Sequence, residues 1–420
     1  MYDICFIGSG VATTFSLIHL AKNNYKGKVL ILERGKALED RTTSDIMYGG
    51  FGSGMFSDCK IVRSLKNNFE TGGDIAKYLD NSTLINLDTE FLRYINIFFP
   101  KDKKLEIISP VKSGKVKYDP FKVLYNETIH IGSDWGKTLG KDIYGYLNTL
   151  TNYTFEYSVK DFKVEHIAKD GVYKIYTDDN KYYEMEKLVI GSGRSGSKLV
   201  ERLKTQYNLR TQESELQIGI RVEVPNEIVK SLTDKFYDFK FVLDSEFGTS
   251  RSFCVSPSGQ VIEEKLYSNT TFNGGSLKDT KTDKTNFGIM VSPKLPETSN
   301  KFNIQRNIVQ QINLLPMNKR VVNFESWRQS IDLYNILARF NIHTMLTNWM
   351  VNFEKICPHF LENVKIYTPE VKYATDQLRL TKNFETDKGG MYIIGDAGVS
   401  RGIYQSAMSG IHVANIFLKK

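Results

Sequence analysis

The sequence is poor in cysteine, in histidine and in long apolar runs. Its four cysteines, Cys5, Cys59, Cys254 and Cys357, are spread over 420 residues. They share no CxxC pair and no metal-ligand spacing, which argues against a disulfide framework or a bound metal. Cys5 lies inside an apolar run and reads as a small buried hydrophobe. No apolar run approaches the roughly 18 residues that a membrane-spanning helix needs. No basic n-region opens the chain, and Asp3 stands where a signal peptide would carry positive charge. These absences give the expectation of a soluble, reduced, cytoplasmic protein with no membrane partner. Blocks of like charge are also missing. The 56 basic residues exceed the 48 acidic ones by 8, yet they are scattered, with only Lys101 to Lys104 as a short cluster. A solvated basic surface is therefore expected ahead of a nucleic-acid interface. A positive field still favours anionic ligands, a dinucleotide phosphate among them.

What the chain does have is concentrated in glycine segments. Tyr2 to Thr13 reads as a buried strand that runs into a glycine turn and then a helix. Gly8 permits the turn, Gly10 lets backbone approach a pyrophosphate, and the helix beginning at Val11 and Ala12 points its N–H groups at that charge. A second apolar strand, Val29 to Leu32, ends in Glu33, which is placed to accept hydrogen bonds from the hydroxyls of an adenosine ribose. The third glycine of this fingerprint is replaced by Thr13, so the helix–strand contact must tolerate a small β-branched residue.

The strand–turn pattern recurs at Leu188 to Gly193 and at Tyr392 to Ala397. The spacing is far too long for a solenoid. Three strands of one nucleotide-binding layer are expected, visited at the start, middle and end of the chain. The fold class expected is α/β: a Rossmann-like FAD-binding domain, discontinuous in sequence (1–205 and 376–420), with an inserted α+β substrate domain (206–375) built on an antiparallel sheet. Within 152–187, Phe155 to Phe162 and Val172 to Tyr176 suit antiparallel strands. Gln217 to Val224 alternates in polarity and predicts a strand with one wet face. Asn273-Gly274-Gly275 reads as a turn. Residues 305–355 carry helical spacing, and Asp396 to Leu418 reads as a loop followed by a long helix.

The choice of dinucleotide rests on the last segment. A strand ending in Gly395-Asp396, followed by a glycine-rich loop and a helix, suits a flavin. The Asp can hydrogen-bond a ribityl chain, and the helix N-terminus near Gly402 and Ile403 can face the flavin pyrimidine. A second cluster, Gly49 to Lys60, places four glycines in six positions and suits close approach to a flat ligand; a merely flexible loop is the alternative. Gly191-Ser192-Gly193-Arg194-Ser195-Gly196 is formally GxGxxG. It lacks the second buried parallel strand of a NAD(P) unit and reads instead as a crossing between domains.

Taken in order, these segments resemble a family of bacterial FAD-dependent dehydrogenases within the glutathione-reductase-like flavoprotein superfamily. The resemblance runs through GSGVAT, GSGMFSDCK, His130 to Asp134, VIGSGRSGSKLV, IGIRVEVP, Arg251 to Cys254 and GDAGVSRGIYQSAMSGIHVA. The glycine usual at Cys59 is replaced. The resemblance implies non-covalent FAD and leaves the substrate open. The cofactor contacts expected are Gly8, Ser9, Gly10, Val11, Ala12, Glu33, Arg34, Ser53, Gly54, Ser57, Asp58, Val164, Gly191, Ser192, Gly193, Gly395, Asp396, Gly402 and Ile403.

Candidate reacting groups are His130, in a polar loop with Asp134, and Arg194 and Arg401, each after a glycine turn and able to clamp a carboxylate or phosphate. Cys59 is either a redox thiol or inert. Arg251 and Cys254 could line a pocket, and Tyr404 and Gln405 could face the ring. The expected activity is hydride transfer between an organic small molecule and FAD, with NAD(P)H, oxygen or another protein as electron partner. A flavoprotein acting on RNA and a non-catalytic flavin-binding protein are the alternatives.

Overall fold

A computed structural model describes residues 1–42, 45–54, 59–63, 75–108, 118–124, 126–212, 215–266, 268–296, 298–372 and 377–419. The chain forms two compact units. One comprises Met1–Leu105, Asp134–Glu213 and Thr375–Lys420; the other comprises Glu106–Ser133 and Ser214–Ala374. Residues 106–133 thus depart from the sequence expectation, which put them in the first domain. The cause is strand pairing: Lys122–Leu124 adds as an edge strand to Lys240–Ser245.

The first unit is built on β1 (Tyr2–Ile7), β2 (Val29–Leu32), β3 (Tyr153–Glu156), β4 (Phe162–Ile167), β5 (Val172–Thr177), β6 (Tyr182–Ile190) and β7 (Met391–Ile393). Their order is β3-β2-β1-β6-β5-β4, with β7 also on β6. β3, β2, β1, β6 and β7 pair in parallel, while β4, β5 and the first half of β6 form an antiparallel meander. β6 therefore changes partner along its length: Tyr182 to Met185 pair with β5, and Leu188 to Ile190 pair with β7. β2 and the last four residues of β1 are wholly buried, as expected of parallel strands covered on both faces.

Helices α1 (Val11–Lys22), α2 (Asn81–Phe98), α3 (Gly132–Leu147, in this unit from Asp134), α4 (Ser197–Tyr207) and α5 (Gly402–Leu418) complete the unit. α5 is buried almost without interruption from Tyr404 to Ile411, the pattern of a helix enclosed on all sides. It lies so close to α1 that a Cβ on Gly410 would sit 1.9 Å from the Ala12 carbonyl oxygen. His19 ties three helices together: Nδ1 meets the Tyr94 hydroxyl and Nε2 meets Asn415 Oδ1, each at 2.8 Å.

Phe155 to Phe162 is not one strand. β3 ends at Glu156 and pairs in parallel with β2, and the chain then turns through Ser158, whose φ is 63°. The Ser158 and Val159 N–H groups donate to the Gly35 and Glu33 carbonyls at 2.9 and 3.0 Å. Those bonds divert the chain before the meander begins.

The second unit is an antiparallel sheet in the order Val321–Asn323, Lys365–Lys372, Gln217–Pro225, Lys284–Pro293, Gly248–Ser256, Lys240–Ser245, Lys122–Leu124. Helix Ile342–Glu354 covers one face. Trp349 and Phe353 there pack on Phe287 and Phe239, with ring centroids 5.7–6.0 Å apart, contacts worth about 0.5–1.5 kcal/mol each beyond area burial. The opposite face of Gln217–Pro225 is not wet. Arg221 is fully buried and donates to Asn286 Oδ1 from Nε and Nη2 at 2.8 and 2.6 Å and to the Cys254 carbonyl at 2.7 Å. Glu370 completes the pair at 3.3 Å. Asn273-Gly274-Gly275 is not a turn but the end of strand Asn269–Gly275, paired with Gln260–Leu266. Its glycine serves the arginine: a Cβ on Gly274 would lie 1.7 Å from Arg221 Nη2.

Candidate functional site

In the first unit the parallel strands end in register. Ile7 pairs with Leu32 and with Ile190, and Ile190 pairs with Ile393. Four adjacent strands therefore release the chain at one edge, where Gly8, Glu33, Gly191 and Ile394-Gly395 follow. Ligands of open α/β sheets bind at this carboxyl edge. The ladder continues into the turns: Gly8 N–H donates to Leu32 O, Gly191 N–H to Ile7 O and Ile394 N–H to Ile190 O, at 2.8–3.0 Å.

Gly8 has a φ of +94°, and a Cβ there would meet the Gly191 carbonyl oxygen at 2.7 Å, so both conformation and contact require glycine. Gly10 starts α1 with no side-chain cap. The first-turn N–H groups from Val11 and Ala12 onward, and the positive end of the helix dipole, are thereby presented to an anion. α5 starts in the same manner, with Arg401 at its N-cap making no side-chain capping bond. Gly193 and Gly402 have φ values of +58° and +76°, and a Cβ at either would have nothing within 4 Å. Among the described residues, backbone at both turns faces open space.

Glu33 is the hub of one end of this edge. Its Oε2 accepts from the Ser9 N–H at 2.7 Å and the Ser9 hydroxyl at 2.8 Å. Its Oε1 accepts from the Gly35 and Gly49 N–H groups at 2.7 and 2.9 Å. Two residues missed at the sequence level complete the local framework. The buried Arg41 guanidinium donates to the carbonyls of Asp45, Ile46, Gly49, Gly50 and Gly52 at 2.5–3.3 Å. Burial lowers its pKa to about 10, against the opposing field of Glu33, so it stays a cation at neutral pH. Tyr144 donates from its hydroxyl to the Ser9 carbonyl at 2.7 Å and accepts from the Phe51 N–H at 3.0 Å. Burial pushes its phenol up, which keeps it a neutral donor. Neither residue has a sequence signature: each is a single polar side chain that matters only through backbone it reaches in three dimensions.

The other end of the edge is organised by Asp396. Arg401 Nη1 lies 3.1 Å from Asp396 Oδ1, and Arg194 Nε lies 3.5 Å from Asp396 Oδ2. The two arginines expected as independent clamps thus converge on one carboxylate and join the middle and last glycine motifs. Gly395, with φ +64°, donates its N–H to Ser409 Oγ at 2.8 Å, and its carbonyl accepts from the Gly398, Val399 and Ser400 N–H groups at 3.2–3.3 Å. Ile403 borders Gly54, where a Cβ would come within 2.8 Å of Ile403 Cγ1. Tyr404, a residue that could face a ring, is instead engaged with α2. It is buried, donates to Asp88 Oδ1 at 2.6 Å and stands edge-on to Phe91. Asp88 in turn holds Arg63 at 2.8 Å. Gln405 is also buried.

The remaining candidate residues are spread over both units. Val164 belongs to β4 at the far side of the sheet, with its side chain in the apolar core. Its carbonyl accepts from Gln206 and Tyr207 at 2.6 and 3.1 Å. The backbone beside Glu33 is that of Val159 instead. His130 is not in a loop: it ends strand Glu127–His130 of the second unit, buried, with its ring 5.1 Å from that of Tyr237. Arg251 and Cys254 also belong to that unit. Arg34 stacks over Tyr48 at 4.7 Å. Cys59 is buried, with φ 47° and its N–H donating to the Gly54 carbonyl. Ser53 is half-buried beside Gly54. Ser57 and Asp58 lie outside the described residues. Ser192 Oγ is buried and bounded by Gly196, where a Cβ would come within 2.0 Å of it.

After the middle glycine motif the chain enters α4 and then a two-residue strand, Thr211–Gln212, that pairs with Gln377–Leu378. Among the described residues, the next strand of this sheet is β7, which joins β6 in parallel only after the 214–374 segment of the second unit. No helix among them is long and apolar enough to cross a membrane, and no group of three His, Cys, Asp or Glu could hold a metal.

No protein-family model matches the chain, and no curated protein matches it. Solved structures do resemble it. CtdE in complex with FAD is 13% identical, with 98% of this chain and 83% of that one covered at a TM-score of 0.37. A 2,6-dihydroxypyridine-3-hydroxylase from Arthrobacter nicotinovorans is 11% identical, with 100% and 83% covered at 0.44. A flavoprotein/dehydrogenase from Cytophaga hutchinsonii is 13% identical, with 99% and 79% covered at 0.41.

Proposed function

We propose that the chain is an FAD-dependent oxidoreductase acting on a small organic molecule. The observation that carries this reading is the convergence of three glycine turns, from Gly8, Gly191 and Gly395, on one carboxyl edge flanked by two uncapped helix N-termini. The residues fit a dinucleotide at both ends of that edge. Gly10, half-buried, leaves the α1 N-terminus without a side-chain cap, where a pyrophosphate would find N–H donors. Among the described residues, Gly193 and Gly402 have no neighbour within 4 Å of a would-be Cβ, and this is the side proposed for the flat ring system. An FAD bound there would supply two-electron chemistry at its isoalloxazine ring. The chain's own part is positional and electrostatic. The α5 dipole favours negative charge at the ring edge near Gly402 and Ile403. Arg194 and Arg401, held by Asp396, place two cations against one carboxylate, a local surplus of positive charge. Hydride transfer, with NAD(P)H, oxygen or a protein as electron partner, is the form of chemistry proposed.

The test is direct. Purified full-length protein, reconstituted with FAD if necessary, should be yellow and should bleach on anaerobic reduction. A protein that stays colourless after reconstitution rules the reading out. Anaerobic reduction screened against a metabolite panel then identifies the substrate.

A further inference from the structure

One residue of the edge does not fit its expected role. An ionised carboxylate offers about four acceptor directions. All four of Glu33 are taken by the protein: the Ser9 N–H and hydroxyl on one oxygen, the Gly35 and Gly49 N–H groups on the other, at 2.7–2.9 Å. Glu33 and Ser9 are both buried. No acceptor direction remains for the two hydroxyls of a ribose.

We infer that Glu33 is a positioning residue: it anchors the 35–54 segment to the β1 turn, and nucleotide recognition here is indifferent to the ribose 2′- and 3′-hydroxyls. Three observations converge on this. The donors come from three separate places, the β1 turn, the start of the segment and its glycine cluster, so the carboxylate acts as a knot between them. Arg41 supplies the opposite half, gathering the carbonyls of Gly49, Gly50 and Gly52 whose N–H side Glu33 holds at Gly49. The knot presses the segment onto the anion-facing turn: a Cβ on Gly52 would meet Gly10 Cα at 3.0 Å, and Phe51 N–H donates to Ser9 O at 3.1 Å. Breaking one bond to admit a ribose would leave a buried N–H or hydroxyl unsatisfied, a loss comparable to the bond gained.

This inference rests on the dinucleotide reading above for the location of the site, and the experiment separates the two. Full-length protein freed of flavin is titrated calorimetrically with ADP and with 2′,3′-dideoxy-ADP. The two dissociation constants should agree within about threefold. A charged acceptor that read the hydroxyls would separate them tenfold or more, and that outcome overturns the proposal. Glu33→Gln, which turns one acceptor oxygen into a donor facing N–H groups, should lower the melting temperature of the flavin-free protein by about 5 °C or more. It should also speed proteolysis within 35–54 and weaken both nucleotides by the same factor. An unchanged melting temperature and cleavage pattern, or a loss confined to ADP, likewise overturns it. If wild-type protein binds neither FAD nor ADP, the dinucleotide reading fails, while the flavin-free melting and proteolysis still judge the anchor.

Discussion

Thr13 occupies the space that a side chain on residue 191 would need. A Cβ built on Gly191 would stand 2.5 Å from Thr13 Oγ1 and 3.3 Å from Ile394 Cγ1. The close helix–strand contact that a third glycine would make from α1 is made here from the facing turn instead. Gly191→Ala should therefore overpack this junction and destabilise the protein by about 1–3 kcal/mol. Thr13→Ala removes the opposing oxygen. The double variant should recover most of the loss in chemical denaturation, and strict additivity of the two changes would contradict the contact.

Two helical glycines should respond to alanine with opposite signs. Gly145 on α3 is exposed, and a Cβ there meets nothing within 4 Å. Gly145→Ala should stabilise by about 0.5–1 kcal/mol through backbone entropy and helix propensity. Gly410 on α5 faces the Ala12 carbonyl at 1.9 Å from the would-be Cβ. Gly410→Ala should destabilise despite the better propensity. Thermal denaturation of the pair checks both signs at once.

Glu370 gives the second unit a pH dependence. Burial pushes its carboxyl up from 4.5 to about 7, with Glu264 adding to the rise and Arg221 and Lys372 opposing it. The folded state then binds more protons than the unfolded state between those values, so stability falls as pH rises from about 4.5 to about 7 and levels off above. A shift of that size corresponds to a contribution on the order of 3 kcal/mol. Glu370→Gln should remove that part of the slope. Urea denaturation of both proteins at pH 5 and pH 8 measures it, and an unaltered difference would exclude Glu370 as its source.

Asp396 should matter more for cofactor than for folding. Its ion pairs with Arg194 and Arg401 are partly exposed, and such pairs contribute about 0–1 kcal/mol. Asp396→Asn should leave the melting temperature of the flavin-free protein nearly unchanged while weakening FAD retention about tenfold, because the two guanidinium groups lose their shared anchor. Fluorescence titration with FAD reads the second effect.

The parallel layer was legible because its signal is local. Apolar runs at Ile4 to Ile7, Leu30 to Leu32 and Leu188 to Ile190 each meet a glycine or acid at their end, and register then brings those ends together. The same locality explains what was not legible. Arg221 occupies the polar phase of an alternating strand, and nothing nearby in sequence announces that Glu370, 149 residues away, will join it in the interior. Gly274 was read as a turn because its reason, room for the Arg221 guanidinium, lies on another strand. Arg41 and Tyr144 act on backbone brought in by folding and leave no pattern. Glu33 was correctly placed at the edge, but the donors that fill it, from Ser9 and from Gly49, could not be counted from spacing alone.

The partner change along β6 has a consequence for how the protein is made. Its last residues and the exposed flank of α1 wait for β7 and α5, which are translated only after the whole 214–374 segment of the second unit. A sheet that forms on the ribosome before that segment has emerged would carry an uncovered apolar seam. The seam closes only once residues 391–418 clear the exit tunnel. A chain truncated within that stretch would leave β6 with an unpaired edge, the kind of surface that recruits chaperones or neighbouring strands.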